Sequence, residues 1–342
     1  MSQRPPVPSS GRALRRATAR TTKPAPAGRL LLLAAAALLA SAVLGTAATA
    51  VSSARAGRAV AAAPLAIASS PAKPAAAAAI PTSALSLHVL ATGDSGGGNA
   101  AQQAVADQMA AVNRRRKVDL VIMAGDNIYD EGDLKRVEAT FTRPYRALLQ
   151  AGVPFHAVLG NHDIRSGNGD PQINYPPFGM KGRWYTVRQG PVEFFMLDTN
   201  VNAAWQHQLP WLKRALASST APWKVVVGHH PIRSSGLYGD DPVAIARLVP
   251  WMRRHGVQLY INGHDHNYER SKPIDGITYL TVGGGGAALR PVLAGPNSAR
   301  AVSRHSFAEL SFTPTELTIE AWDSQGERID QARLERGAST SR

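Results

Sequence analysis

Five short motifs in this chain place a polar side chain directly after a glycine, at the end of an apolar run. The motifs are Gly93-Asp94, Gly125-Asp126, Gly160-Asn161, Gly228-His229 and Gly263-His264. Carboxylate, amide and imidazole groups are common metal ligands in proteins. A single Gly-Asp pair after a strand usually forms only a turn, but five motifs with oxygen or imidazole side chains indicate a metal site.

Two further side chains lie close in sequence to these motifs. Tyr129 follows Asp126 by three residues, where both side chains can turn toward one centre. His266 follows His264 by two residues, so on an extended segment both imidazoles would point to the same side. The seven candidate ligands are Asp94, Asp126, Tyr129, Asn161, His229, His264 and His266. That number suits two metal ions about 3.5–4 Å apart that share one carboxylate and leave positions open for water and substrate.

The elements that position these residues alternate between strand-like and helical patterns. Strand-length apolar runs occupy residues 87–92, 118–124, 155–159, 194–197, 225–227 and 257–261, and helical patterns occupy 99–114, 134–150, 205–216 and 242–255. From residue 277 onward only strands are predicted, at 277–282, 307–312, 316–321 and near 329. The pattern predicts an α/β core of two packed sheets flanked by helices. Open α/β sheets bind ligands beyond the carboxyl ends of their strands, where the five motifs lie.

The composition argues against two other kinds of site. Ten of the 38 Lys and Arg residues lie in residues 1–83, which contain no acidic residue, so residues 84–342 carry 28 basic and 24 acidic residues. The net charge of +14 therefore belongs mostly to the start of the chain, and no nucleic-acid partner is expected. The chain has no cysteine, so any metal must be held by oxygen and nitrogen ligands.

The start of the chain has the features of an export signal. Residues 30–51 form a run of 22 residues without a charge, long enough to span a bilayer, which needs about 20. Basic residues without acidic ones flank this run, which favours export of the domain that follows. Small residues at 48–50 and 54–56 offer cleavage sites, so a cleaved signal peptide and a retained membrane anchor both fit. The protein is expected to be periplasmic, secreted, or anchored with its catalytic domain outside.

Composition divides the chain into three segments. Residues 1–56 form the basic leader with the signal peptide or anchor. Residues 57–83 are almost wholly Ala, Pro and Ser, bury too little apolar surface to fold alone, and are interpreted as a linker. Residues 84–340 are predicted to form the catalytic domain.

The motif series resembles the signature of the purple acid phosphatases, in the calcineurin-like metallophosphoesterase superfamily. Its blocks are Gly-Asp-Ser, Gly-Asp-Asn-Ile-Tyr, Gly-Asn-His-Asp, Val-Val-Gly-His-His and Gly-His-Asp-His, within residues 93–266. The short chain is more similar to the tartrate-resistant mammalian type than to the two-domain plant type. The resemblance implies a four-layer α/β/β/α fold and an acid phosphatase that hydrolyses small phosphate monoesters.

The resemblance also implies how the ligands divide between two metal ions. One site, for Fe(III), would be bound by Asp94, Asp126, Tyr129 and His266. The second, for a divalent Fe, Zn or Mn ion, would be bound by Asp126, Asn161, His229 and His264. Asp126 would bridge the two ions.

The first motif distinguishes this chain from the wider superfamily. Relatives there usually carry Asp-x-His, whereas this chain has Asp94-Ser95-Gly96. The Tyr129 phenolate can replace the missing imidazole. A phenol with a pKa of about 10 stays deprotonated only beside a strong Lewis acid, which favours trivalent iron.

The expected reaction is attack of a metal-bound hydroxide on phosphorus, with loss of the alcohol. By the resemblance, His162 protonates the leaving group or orients the substrate, and Asp163 is expected to hold His162 or a ligand in place. The family usually has a substrate-binding histidine about ten residues after the His229 position. Tyr238 lies there in this chain, either as a replacement hydrogen-bond donor or as a simple loop residue. His230 fits either a substrate-facing or a supporting role.

Two alternatives use the same residues differently. A phosphodiesterase or nucleotidase could be built on the same scaffold, because pocket walls decide between these substrates. A non-catalytic binding protein would be expected to have lost ligands, and all seven candidates are present. The glycine run Gly283–Gly286 either lets the backbone pass close to the site or forms an ordinary flexible turn.

Overall fold

A computed structural model describes residues 86–336, which lie within the predicted catalytic domain. The predicted leader at residues 1–56, with its apolar run 30–51, and the predicted linker at 57–83 lie outside the described residues. Within residues 86–336, no helix is long and apolar enough to cross a membrane.

Strands and helices alternate along most of the described chain. The strands are β1 (Leu87–Thr92), β2 (Leu120–Met123), β3 (Phe155–Ala157), β4 (Tyr185–Gln189), β5 (Val192–Met196), β6 (Trp223–Val227), β7 (Leu259–Asn262), β8 (Tyr268–Ser271), β9 (Thr278–Val282), β10 (Ser298–Val302), β11 (Ser306–Phe312), β12 (Glu316–Asp323) and β13 (Arg328–Glu335). The α-helices are α1 (Ala100–Arg115), α2 (Arg146–Gln150), α3 (Asp170–Ile173), α4 (Trp205–Ser218) and α5 (Pro242–Arg254).

The strands form two mixed sheets. One has the order β13-β12-β11-β1-β2-β3, and the other has the order β10-β8-β9-β7-β6-β5-β4. Strands β1, β2 and β3 are parallel to one another, as are β5, β6, β7 and β9. The five glycine motifs follow β1, β2, β3, β6 and β7, so each lies at the carboxyl end of a parallel strand.

Both faces of the central strands are buried. In β1, Val89 faces a core shared by the two sheets, while Leu90 packs in a second cluster with α1. In β6, Val225 faces the shared core and Val226 packs in a third cluster with α4 and α5. Burial on two faces explains why these strands are continuous apolar runs rather than alternating ones. The predicted four-layer α/β/β/α fold is confirmed.

Two helices begin at residues that satisfy the free N–H groups of the first turn. The Asn99 side chain accepts a hydrogen bond from Gln102 N at 2.9 Å, before α1. Asp241 caps α5 in the same way, and Pro242 occupies the first helical position, where no N–H is needed. Both helices lie within one residue of their predicted bounds.

The predicted helix at 134–150 is wrong as a single element. The chain instead forms a 3₁₀ turn at Leu134–Arg136, a π-helical turn at Glu138–Thr142 and the short α2. Pro144 lies before α2 and lacks the N–H that a continuous helix requires. The sequence reading also missed β4, β8 and β10, of which β4 and β10 lie at the edges of one sheet.

Candidate metal centre

Three candidate ligands adopt a left-handed backbone conformation. The φ angles are 53° at Asp94, 51° at Asp126 and 68° at His264. Positive φ is uncommon for residues other than glycine, and such strain tends to cluster at functional sites. Of the five preceding glycines only Gly125 has a positive φ, of 87°. The sharp turn is therefore made mostly by the ligand candidate itself.

The glycines are needed for space. A Cβ atom on Gly160 would lie 2.2 Å from Asp126 Oδ1, and one on Gly263 would lie 2.3 Å from Asp94 Oδ2. The later glycine run also passes close by, the first of its two expected roles, because Gly285 N donates to the carbonyl of Gly93 at 3.0 Å. Backbone therefore packs directly against both carboxylates.

A first group of side chains surrounds Asp94, which is fully buried. Tyr129 OH donates to Asp94 Oδ1 at 3.1 Å, and His266 Nε2 lies 3.3 Å from each of these two oxygens. Burial raises the pKa of Asp94 to about 6. Although burial opposes it, the hydrogen bond with Asp94 raises the pKa of His266 above its ordinary value.

A second group surrounds His229, which is also fully buried. His229 Nε2 lies 3.1 Å from Asn161 Oδ1, 3.2 Å from His264 Nδ1 and 3.5 Å from Asp126 Oδ2. Asp94, Asp126 and His229 each offer a ligand atom within 4.8 Å of the others, so the two groups adjoin. The structure thus brings all seven candidate ligands together, with Asp126 between the groups.

The second group has the chemistry of a cation site. Burial, and next the nearby His230, hold the pKa of His229 well below its ordinary range, so its ring is neutral. His229 Nδ1 lies 2.8 Å from Ala124 O and donates to it, which leaves a lone pair on Nε2. That lone pair faces Asp126 Oδ2 and Asn161 Oδ1, which are acceptors too. Acceptors held against one another in a buried site fit a shared metal ion.

Tyr129 is buried beside Asp94 and Asp126. Burial, followed by the charges of Asp94 and Asp126, raises the pKa of Tyr129 far above its ordinary value. The phenol is therefore neutral among these carboxylates, and it can become a phenolate only beside a strong positive charge.

His264 and His266 were expected on an extended segment, and that expectation is wrong. The chain bends at His264, and a strand resumes only at Tyr268. The two imidazoles consequently serve different groups, since His264 faces His229 and His266 faces Asp94.

Asp163 is fully buried and holds the two loops that carry three of the candidate ligands. It accepts hydrogen bonds from Gly160 N, Asn127 N, Ile128 N and Gln172 Nε2, at 2.8–3.1 Å. Burial, and then the charge of Asp126, raise its pKa to about 7. Of the two expected roles for Asp163, the bonds match support of ligand loops, and no bond to the His162 side chain is found within residues 86–336.

His162 lies beside both groups, and its Nε2 has a long contact of 3.4 Å with Arg165 Nη2. Its Nδ1 donates to Asp130 O at 2.6 Å, and its Nε2 lies 4.0 Å from Asp126 Oδ2. The ring packs edge-on against Tyr129, with 4.5 Å between centroids. About a fifth of the side chain is exposed, so Nε2 can meet a substrate at the site mouth.

Thr199, which sequence reasoning missed, fixes the tautomer of His230. Its Oγ1 accepts the backbone N–H of His229 at 3.1 Å and of His230 at 3.0 Å, which uses both lone pairs. The hydroxyl therefore donates to His230 Nδ1, 2.9 Å away, and the ring proton of His230 lies on Nε2. No motif marks Thr199, because only the fold brings it here.

Tyr238 lies at the site mouth and is about half exposed. It stacks on His264, with 4.1 Å between ring centroids and 24° between planes. With His230, Pro231 and Pro242 it lines an open cavity of about 320 Å³ beside His264. Its hydroxyl accepts a hydrogen bond from Arg290 Nη1 at 3.0 Å. Arg290, like Thr199, is a residue that the sequence did not indicate.

Comparisons with known proteins relate the chain to phosphoesterases. The calcineurin-like phosphoesterase family matches residues 87–268. Purple acid phosphatase 17 of Arabidopsis thaliana is 31% identical over 71% of this chain and 82% of that protein. Tartrate-resistant acid phosphatase type 5 of Oryctolagus cuniculus is 28% identical over 74% of this chain and 92% of that protein. The solved structure of purple acid phosphatase PPD1 from yellow lupin seeds covers 75% of this chain and 55% of its own, with a TM-score of 0.66; at 21% identity this likeness concerns the fold alone.

Proposed function

The chain belongs to the calcineurin-like phosphoesterase family and, within it, to the purple acid phosphatases, and we propose that the protein is a phosphomonoesterase with ferric iron in one of its two metal sites. The family makes the protein a hydrolase of phosphate esters with a dinuclear metal centre. The observation that carries the proposal is the pair of adjoining ligand groups on either side of Asp126.

The proposed ligands follow these two groups. Asp94, Tyr129 and His266 would hold Fe(III), and Asn161, His229 and His264 would hold a divalent Fe, Zn or Mn ion. Asp126 would belong to both sites. The phenol of Tyr129 supports iron at the first site, because its burial beside two carboxylates requires a strong Lewis acid for ionisation.

When bound, two metal ions neutralise charge on the phosphoryl group and acidify a water molecule. The chain's own residues would position the substrate and move the proton. His162 is held by Asp130 O through Nδ1, so in its doubly protonated form it can give the Nε2 proton to the leaving oxygen. The Nε2–H of His230 can donate to a substrate oxygen, because Thr199 occupies Nδ1. Asp163 keeps the loops around Asp126 in register.

The substrates proposed are small phosphate monoesters, and the catalytic domain is proposed to span residues 84–340 and to be exported. The support for export is the charge pattern around residues 30–51. Mass spectrometry of the exported protein would separate a cleaved signal peptide from a retained anchor. Recovery of the whole active protein from the cytoplasm would contradict export.

Metal analysis combined with a visible spectrum tests the metal assignment directly. The purified protein should contain two metal ions per chain, one of them iron, and should absorb visible light through the Tyr129 phenolate. Hydrolysis of p-nitrophenyl phosphate should be much faster than hydrolysis of its bis-ester. Preference for the bis-ester would instead identify a phosphodiesterase, and a metal-free inactive protein would contradict an enzymatic role.

A further inference from the structure

We propose that Arg290 is a specificity-determining residue, which binds a second anionic group on the substrate beyond the phosphoryl group at the metal centre. The proposal rests on the phosphoesterase function and deepens it. The ligand chemistry is a phosphate ester or anhydride that carries another phosphate or a carboxylate near the scissile bond.

Arg290 is fastened to the segment that carries two proposed metal ligands. Its Nη1 donates to His264 O at 2.7 Å, and its backbone N donates to His266 O at 3.0 Å. The same Nη1 lies 3.0 Å from the hydroxyl of Tyr238, whose ring stacks on His264. The guanidinium therefore contacts the tyrosine ring that stacks on His264, a proposed metal ligand.

The positive charge of Arg290 has no carboxylate partner within 4.0 Å among residues 86–336. Its Nε and Nη2 donate to none of the described residues, since both of its side-chain bonds use Nη1. The carboxylate of Asp265 attracts Arg290 only at longer range, and its hydrogen bonds come from Ser234 Oγ at 2.6 Å and Leu237 N at 3.1 Å. A half-buried guanidinium with free donors is suited to an anion that is not part of the protein.

Two other arginines near the metal centre are occupied. Arg165, beside His162, lies 3.4 Å from a carboxylate oxygen of Glu131. Arg136 donates one Nη to the carbonyl of Tyr129 and the other to that of Gly97. Arg290 differs from Arg165 in having no carboxylate within 4.0 Å among residues 86–336, and from Arg136 in using only one of its two Nη atoms.

The position of Arg290 predicts which part of the substrate it reaches. The open cavity beside His264 is lined by Tyr238, and Arg290 holds the hydroxyl end of that ring. The same cavity is lined by the carboxylates of Asp240 and Asp241 and not by Arg290, so an anion bound by the free Nη2 would lie outside the cavity, near the Tyr238 hydroxyl. The planar fork of arginine binds carboxylate and phosphate oxygens in pairs, which lysine does not reproduce.

The test compares substrates with and without a second anion. Inorganic pyrophosphate carries a second phosphate, and 2-phosphoglycolate carries a carboxylate. p-Nitrophenyl phosphate carries neither group. In the metal-loaded protein, Arg290→Gln should lower kcat/KM for pyrophosphate, phosphoglycolate or both by about 10- to 100-fold more than for p-nitrophenyl phosphate, the range that charge-assisted hydrogen bonds supply. The substrate whose kcat/KM falls selectively identifies whether Arg290 binds a phosphate or a carboxylate. Arg290→Lys should restore part of the loss.

Controls separate recognition from folding and from the wider function. Arg300→Gln removes an exposed guanidinium on β10 and should leave all three kcat/KM values unchanged. If Arg290→Gln fails to fold, Arg290→Lys carries the comparison and should show a smaller loss, selective for the two substrates that carry a second anionic group. An equal loss on all three substrates would show that Arg290 only fastens its loop, and would overturn the proposal while the phosphomonoesterase assignment stands. A wild-type protein that hydrolyses none of them would refute both.

Discussion

Substitution of Gly160 by alanine tests the geometry of the proposed bridging carboxylate. The added Cβ would lie 2.2 Å from Asp126 Oδ1 and 2.3 Å from Asp126 N, where ordinary contact begins at 3.4 Å. Asp126 or the loop that carries Gly160 must therefore move by about 1.2 Å, the difference between 3.4 Å and 2.2 Å. The backbone of Gly160 does not have a positive φ, so the clash alone perturbs the variant.

A shift of this size at a shared ligand should disturb both proposed metal sites. Misplacement by about 1 Å can lower a rate by about 10²-fold, and overpacking costs about 1–3 kcal/mol of stability. We expect Gly160→Ala to fold, to retain fewer than two metal ions per chain, and to lose at least about 10²-fold in kcat/KM for p-nitrophenyl phosphate. Metal analysis, initial rates and thermal unfolding measure these three quantities.

Gly152→Ala provides the matched control. Gly152 has a φ of 72°, but its Cβ would meet nothing within 4 Å. This change should cost about 1 kcal/mol of stability and leave metal content and rate unchanged. Wild-type metal content and activity in Gly160→Ala would refute the inference that Asp126 is held in place by this close backbone contact.

Three further predictions address the ligands and the fold. Tyr129→Phe should remove the visible absorption of the iron-loaded protein while it keeps the ring packing; a colourless wild type that is fully active with divalent ions alone would contradict ferric iron. Asp126→Ala should lose both metals, whereas His162→Ala should keep them and lose about 10²–10⁴-fold in rate, and metal loss in His162→Ala would show that the division between ligand and acid is wrong. Although burial alone would raise the pKa of Asp330, the hydrogen bonds from Arg270 and Tyr268 outweigh that effect, so this pKa lies below its ordinary value. The charge of Asp330 therefore stabilises the fold at neutral pH, and this contribution is lost as the pH falls below about 4. Asp330→Asn should therefore lower the free energy of unfolding by about 1.5–3 kcal/mol at pH 7, with a gap that narrows at acidic pH in denaturant titrations; a gap independent of pH would contradict the assignment.

The parts of the site that sequence predicts are those set by local chain geometry. Buried parallel strands are recognisable as apolar runs, and the residue after each run must lie at the carboxyl edge of its sheet. Asp94, Asp126, Asn161, His229 and His264 follow from that rule alone. The periodic apolar patterns of α1 and α5 are equally local, and both helices lie within one residue of their predicted bounds.

The parts that sequence does not predict depend on contacts between distant segments. Thr199 and Arg290 reach the site through loops whose paths are set by packing, and neither belongs to a motif. The predicted helix at 134–150 was wrong for another reason. Its helical spacing of apolar residues continues past Pro144, which cannot continue a helix. The edge strand β4 alternates buried and partly exposed residues, and it is recognisable mainly by its pairing with β5.

The two sheets contribute different kinds of donor atom to the proposed centre. Every oxygen ligand (Asp94, Asp126, Tyr129 and Asn161) follows a strand of the first sheet, and every imidazole (His229, His264 and His266) follows a strand of the second. Each metal ion would consequently be a cross-link between the two halves of the sandwich. Each ion at 100 times its Kd would add about 2.7 kcal/mol to the free energy of unfolding by mass action. Chelation would then loosen the seam between the sheets as well as stop the chemistry, and a chain with only one sheet folded could hold neither ion properly.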